Sequence, residues 1–154
     1  MDNQPTTASN VLGWMAQGGT FQKLRNISQS QLDEAYKVAF TQFNAGQYKD
    51  AVTIFRHLCL MNHTCHRYFL GLGMSLFELG RFDLAIASLS YAEKIEPKDP
   101  RASLVMGKSF KAMNQKTLAL KSLSEAIFRA QKGVRWKSEL HIAQRLFAAL
   151  KNKR

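Results

Sequence analysis

One spacing constrains this chain more than any other feature: residues of matching type return every 34 positions. Ala51, Ala85 and Ala119 stand 34 apart, and so do Phe55, Leu89 and Leu123. Ala39, Gly73 and Gly107 form a third column, Leu58, Ala92 and Ala126 a fourth, and Gly46, Gly80 and Asn114 a fifth. A constant period held through several columns marks a stacked repeat, in which each unit buries its apolar face against its neighbours. The small residues of the first and third columns let paired helices approach closely. Phe55, Leu89 and Leu123 fill the space between pairs. Gly46, Gly80 and Asn114 accept the left-handed conformation that ends a helix.

Within each unit the apolar spacing is helical. It predicts a short amphipathic helix over about 10–17, stopped by Gly18-Gly19, and a further short turn starting at Thr20. Ser28 or Ser30 caps a helix of about 30–45. Helices follow at about 48–61, 66–79, 82–95, 100–113 and 116–130, with Pro97 and Pro100 breaking the chain between the second and third units. A last helix of about 135–150 carries Trp136, Leu140, Ile142, Ala143, Leu146, Phe147 and Leu150 and covers the open face of the third unit, as a terminal cap must. The expected fold is all-α, with three tandem helix-turn-helix repeats between an N-terminal helical extension and a C-terminal capping helix. The division is 1–31 for the extension, 32–131 for the repeats (32–65, 66–99 and 100–131), and 132–154 for a basic cap and tail. The apolar residues of the extension's first helix are Val11, Leu12, Trp14 and Met15.

Several function classes are excluded on simple grounds. No apolar run approaches the roughly 18 residues needed to cross a bilayer. The start, Met1-Asp2-Asn3-Gln4-Pro5, has neither the basic nor the apolar region of a secretory signal, so the chain is expected to stay in the compartment where it is made. No phosphate loop, GxSxG or HExxH is present, and no enzyme activity is expected. His57, Cys59, His63, Cys65 and His66 crowd one stretch, but without a CxxC or HxxxH spacing they are read as structural, with no metal and no cofactor. The two cysteines are read as free thiols.

The net charge of +11 is confined to one third of the chain. Residues 101–154 hold thirteen Lys and Arg against two Asp and Glu, whereas residues 1–100 balance to zero. This asymmetry fits a solvated helical face, an acidic protein partner such as a transcription activator, or nucleic acid. No DNA-reading motif accompanies Lys132, Arg135, Lys137, Arg145, Lys151, Lys153 and Arg154, so direct nucleic-acid binding is not expected.

The 34-residue columns resemble tetratricopeptide repeats over about residues 32–131. A narrower resemblance rests on Gly18-Gly19-Thr20 with Leu24 and Ile27-Ser28, then Tyr36 with Ala39-Phe40, the run Tyr68-Phe69-Leu70-Gly71-Leu72-Gly73, and Ser90-Tyr91-Ala92. This series is similar to the class II chaperones of bacterial type III secretion systems, which bind hydrophobic translocator proteins. The resemblance implies a bacterial cytosolic protein that uses no ATP, dimerises through its N-terminal region, and in some relatives serves as a transcriptional co-activator. Lys108, Lys111 and the basic C-terminal third depart from the family pattern.

In tetratricopeptide folds the first helix of each pair lines a concave face, with repeat positions 2, 5, 9 and 12 pointing inward. The resemblance therefore places Asp33, Tyr36, Phe40 and Phe43 there, followed by Arg67, Leu70, Met74 and Phe77, and then Arg101, Leu104, Lys108 and Lys111. The first two sets are largely apolar and the third is basic. Repeats that clamp a C-terminal carboxylate carry Lys and Asn where this chain has Tyr36 and Phe40, so a carboxylate clamp is not expected. The family instead grips an N-terminal Pro-x-Leu-x-x-Pro stretch of its cargo, and the resemblance adds Tyr48, Met61 and His63 near the same pockets. Because first helices also pack on second helices, Tyr36, Phe40 and Phe43 have an alternative reading as core, to which Phe69, Leu72 and Leu76 are assigned. The function expected is a cytosolic chaperone that keeps translocator proteins soluble and competent for export. The alternative is a general adaptor, or a co-activator binding an acidic protein.

Overall fold

The computed structural model describes residues 8–152. The expected residues 1–7 of the extension, with Lys153 and Arg154 of the tail, lie outside the described residues. The elements are α1 (Ala8–Ala16), α2 (Phe21–Leu24), α3 (Gln29–Asn44), α4 (Tyr48–Met61), α5 (His66–Glu78), α6 (Phe82–Ile95), α7 (Pro100–Ala112), α8 (Lys116–Ala130) and α9 (Lys137–Asn152). No strand occurs among the described residues. The all-α repeat architecture expected from the 34-residue period is the one observed.

Local signals set the helix ends. Ser28 caps α3 with a reciprocal pair of bonds: its Oγ accepts from the Gln31 N–H at 3.2 Å, and Gln31 Oε1 accepts from the Ser28 N–H at 2.9 Å. The first helix of each pair closes in the same way. Gly46, Gly80 and Asn114 have φ of 75°, 70° and 58°. The following N–H of Gln47, Arg81 and Gln115 then donates back to Gln42, Leu76 and Phe110, at 2.9 Å each time. With the Gly46, Gly80 and Asn114 N–H groups donating to Phe43, Phe77 and Lys111, this pair of hydrogen bonds satisfies carbonyls that a helix end leaves open, and its repetition gives every pair the same sharp reversal.

Packing follows the small-residue columns. Ala39, Ala51, Ala85 and Ala119 are fully buried. A Cβ at Gly73 would come within 2.5 Å of the Leu89 side chain, and one at Gly107 within 2.7 Å of Leu123. α5 and α6, like α7 and α8, therefore sit closer than side chains on both would permit. Glu93, Ser103 and Arg129 tie α6, α7 and α8 together: the Ser103 hydroxyl and the Arg129 guanidinium both donate to the Glu93 carboxylate. Arg129 also donates to the Ser103 oxygen at 2.7 Å.

α9 buries Ala143 and Leu150, with Leu146 and Phe147 beside them, against the cluster of Leu104, Ala119, Leu123 and Ala126. Trp136 departs from the expected helical stripe. It ends a short 3-10 turn, Val134–Trp136, that precedes α9. The cause is Gly133, whose extended backbone breaks the helical path, while the Trp136 N–H returns to the Gly133 carbonyl at 3.1 Å. At the other end, Gly18 (φ 88°) stops α1. The Trp14 indole then lies on Gly19, where a Cβ would fall 2.1 Å from a ring carbon.

Candidate peptide-binding groove

The first helices of consecutive pairs lie side by side, and a pocket opens where α3 meets α5. It encloses about 140 Å³ and is lined by Tyr36, Phe40, Phe43, Phe55, Arg67, Leu70, Gly71, Met74 and Arg101. Seven residues expected on the inward face, Tyr36, Phe40, Phe43, Arg67, Leu70, Met74 and Arg101, are thus brought to one place. Helical spacing is the reason: i, i+4 and i+7 put Tyr36, Phe40 and Phe43 on one face of α3.

The pocket wall is a connected set of rings. Tyr36 stacks on Phe40 at 6.3 Å and meets Phe55 edge-on at 5.9 Å and Tyr68 at 6.0 Å. Such offset and edge contacts hold rings in place beyond what burial alone supplies. Tyr68 is fully buried, and burial pushes its hydroxyl pKa up. Phe40, in contrast, is 51% exposed, an unusual degree for a phenylalanine facing a pocket. The expected core alternative therefore divides: Tyr36 is anchored in the core and also lines the pocket, whereas Phe40 stands half in solvent.

Two arginines frame the mouth. The Arg67 guanidinium lies 4.8 Å from the centre of the Tyr36 ring and 3.5 Å from an Asp33 oxygen. Arg101 is held by Asp99, with Nη2–Oδ2 at 2.6 Å and Nε bonded to the same carboxylate. Burial would raise the Asp99 pKa, but the hydrogen bonds and charge of Arg101 outweigh it and hold the carboxyl below its usual value. Asp99 also caps α7 by accepting from the Arg101 N–H at 2.9 Å. His66 lies 3.6 Å away from that carboxylate. Burial lowers the His66 pKa, partly countered by Asp99.

The remaining expected residues fall elsewhere. Tyr48 stands next to the pocket, its ring 5.4 Å from Phe43. Phe77 continues the face of α5 and packs on Phe82 at 5.6 Å. Leu104 is buried, at 5% exposure, and Lys108 is half-buried on α7. Met61 and His63 are not brought to the pocket. Met61 ends α4, thirteen residues after Tyr48 begins it, which is about 20 Å along a helix. There Met61 packs against the core. In the extension, Val11, Trp14 and Met15 are half-buried within their own chain, and the Leu12 side chain lies outside the described residues.

Phe55 and Gly71 line the pocket without being among the expected inward residues, whereas Arg101 was expected on the inward face. Phe55 was visible as a member of a repeat column, and Gly71 in the Leu-Gly-Leu-Gly run. A Cβ on Gly71 would sit 2.4 Å from two Phe55 ring carbons, so this glycine allows α5 to close over the ring that floors the pocket.

Fold and groove together define a tetratricopeptide-type helical solenoid with an aromatic groove along its first helices. Comparison with known proteins narrows this class. No family model matches the chain. Over 84 residues, 54% of its length, the chain is 43% identical to low calcium response locus protein H of Yersinia pestis. The match spans about half the length of this curated relative (50%). A type III secretion complex from Aeromonas hydrophila superposes with a TM-score of 0.90 at 28% identity, over 94% of this chain and 97% of that one. The type III secretion translocator chaperone SycD of Yersinia enterocolitica gives 0.81 at 31% identity, over 86% and 98%. The same chaperone with a peptide of the translocator YopD gives 0.79 at 31%, over 82% and 97%. The chain belongs to the type III secretion translocator chaperones.

Proposed function

We propose that this protein is a chaperone of a type III secretion system that holds an extended N-terminal segment of a hydrophobic translocator in its groove. The observation that carries the reading is the pocket formed by Tyr36, Phe40, Phe43, Leu70 and Met74, an open apolar cleft on the face that first helices share. It has the character of a site for side chains of an extended peptide: ring walls for anchoring, and charged groups only at the mouth. Relatives of known structure support the reading. SycD was solved with a peptide of the translocator YopD, and PcrH with the chaperone binding region of PopD.

The physical logic needs no energy source and no catalytic step. A translocator exposes apolar segments that would aggregate or enter a membrane too early. Occupation of the groove removes part of that surface from water and favours the held state by mass action. Release needs only a competing binder. Residues 32–131 act as the binding body. Residues 1–31 serve homodimerisation through Val11, Leu12, Trp14 and Met15, and residues 132–154 cap the stack. No described helix is long and apolar enough to cross a membrane, which is compatible with a place in the bacterial cytoplasm.

Co-purification from the native cell with mass spectrometry of the bound proteins tests this. A partner with long apolar segments is expected. A DNA-binding activator in its place would favour the second reading, an adaptor or co-activator for an acidic protein, which rests on the +11 net charge of residues 101–154.

A further inference from the structure

The residues of the aromatic pocket have counterparts one repeat later, where α5 meets α7, and the counterparts have a different chemistry. Shifting by 34 residues replaces Gly71 by Val105, Met74 by Lys108 and Arg101 by Arg135. Val105 is buried at 8% exposure, whereas Gly71 lies directly under the Phe55 ring. The second position thus carries a side chain where the first has none. Cations surround it. Lys108 and Lys111 lie on the α7 face that continues the groove, at i+7 and i+10 from Arg101. The Arg135 guanidinium stacks at 4.3 Å on Trp136, whose ring Arg101 also approaches at 5.2 Å.

The acidic groups nearby serve only one of these cations. Asp99 pairs with Arg101 at 2.6 Å, and Glu139 acts on the same guanidinium. Lys108, Lys111 and Arg135 make no ion pair among the described residues. Uncompensated like charges gathered on one face repel each other and gain from an anionic partner.

We infer that the segment bound in the groove carries a side-chain carboxylate about three residues from the apolar side chain that enters the aromatic pocket, and that Lys108, with Lys111 one turn further along α7, receives it. The spacing follows from geometry. Packed helices lie about 8–10 Å apart, and an extended chain advances about 3.3 Å per residue. The inference rests on the peptide-groove reading above and adds to it a register and a partner charge. An acidic peptide is favoured over nucleic acid because the cations adjoin an apolar pocket on one continuous groove.

The test uses the full chain and fluorescein-labelled ten-residue peptides. Each carries one Leu and a single Glu placed two, three or four residues to either side, with Gln controls. At low salt the Glu peptide of matching register is expected to bind about three- to fivefold tighter than its Gln control. Lys108→Gln should erase that preference and Lys108→Glu should invert it, with the helical circular dichroism unchanged. Lys111→Gln, at an exposed position, should reduce the preference without touching the fold. Equal binding of Glu and Gln peptides in every register overturns the inference while the groove reading stands. Failure of every peptide to bind overturns both. Displacement of the Glu peptide by a short DNA oligonucleotide as readily as by unlabelled Glu peptide overturns the peptide carboxylate as the partner.

Discussion

Gly71 and Phe55 form a matched pair whose coupling can be measured. A Cβ at Gly71 would lie 2.4 Å from Cε1 and Cζ of Phe55 and 2.9 Å from Cδ1. Phe55 is 1% exposed, and Tyr36 packs edge-on against its ring at 5.9 Å. One repeat later the same two columns hold Val105 and Leu89, both buried. Gly71→Val gains about 0.4 kcal/mol in helix propensity but forces branched carbons into the ring, at the upper end of the roughly 1–3 kcal/mol cost of overpacking. The net loss is about 2–3 kcal/mol. Phe55→Leu leaves part of the pocket floor empty and costs about 1–2 kcal/mol. Independent effects would sum to about 4 kcal/mol. In the double variant the shorter side chain withdraws the ring atoms that the new valine needs, copying the second interface, so the expected loss is about 2 kcal/mol. The coupling is then about 2 kcal/mol, well above the ~0.5 kcal/mol scatter of independent sites. Urea unfolding followed by far-ultraviolet circular dichroism on all four proteins gives the cycle directly. Additive losses would refute the claim that the close approach of α5 to this ring sets the pocket's floor.

Three further outcomes are expected. Phe40→Ala, at a side chain 51% exposed, should cost under about 1 kcal/mol of stability yet weaken cargo-peptide binding at least about tenfold; fluorescence anisotropy showing unchanged affinity would remove Phe40 from the groove. Acidification should destabilise the protein in two stages, since both lowered groups favour their deprotonated forms when folded: His66 contributes stability that falls as pH drops below 6.5, and Asp99 adds a loss below 3.8. Thermal melts of His66→Asn that still show the first stage would assign it to another group. Deleting residues 1–20 should convert a dimer to a monomer in light scattering, and an unchanged mass would exclude the N-terminal region as the dimer contact.

Much of the fold follows from residues that can be read singly. The period sets the number of pairs because each unit can bury its apolar face only against the next. Gly46, Gly80 and Asn114 end helices because they tolerate positive φ, and all three do so here. Ser28 caps because its hydroxyl reaches the Gln31 N–H, with Gln31 three residues on to answer it. These effects are local, and the chain carries them wherever the helices pack.

The site was readable only in part, because inward spacing alone does not say how deep a side chain sits. Phe40, Leu70 and Leu104 occupy inward positions alike, yet Phe40 is 51% exposed while Leu70 and Leu104 are 4% and 5%. The difference comes from neighbours in the stack. Phe40 is on α3, the first helix of the first pair, with fewer first helices beside it; Leu70 sits between α3 and α7, and Leu104 is packed within the cluster covered by α9. Met61 shared a resemblance with the pocket residues but ends its helix far from Tyr48. Gly71 entered the lining because it lacks a side chain beside Phe55, and Arg101, inward by spacing, is held there by Asp99. Amino-acid order by itself determined that this chain is a helical repeat with an apolar-to-basic series along its first helices. The tertiary structure decided which members of that series stand open to a partner, since only stacking settles which face of each helix a neighbour covers.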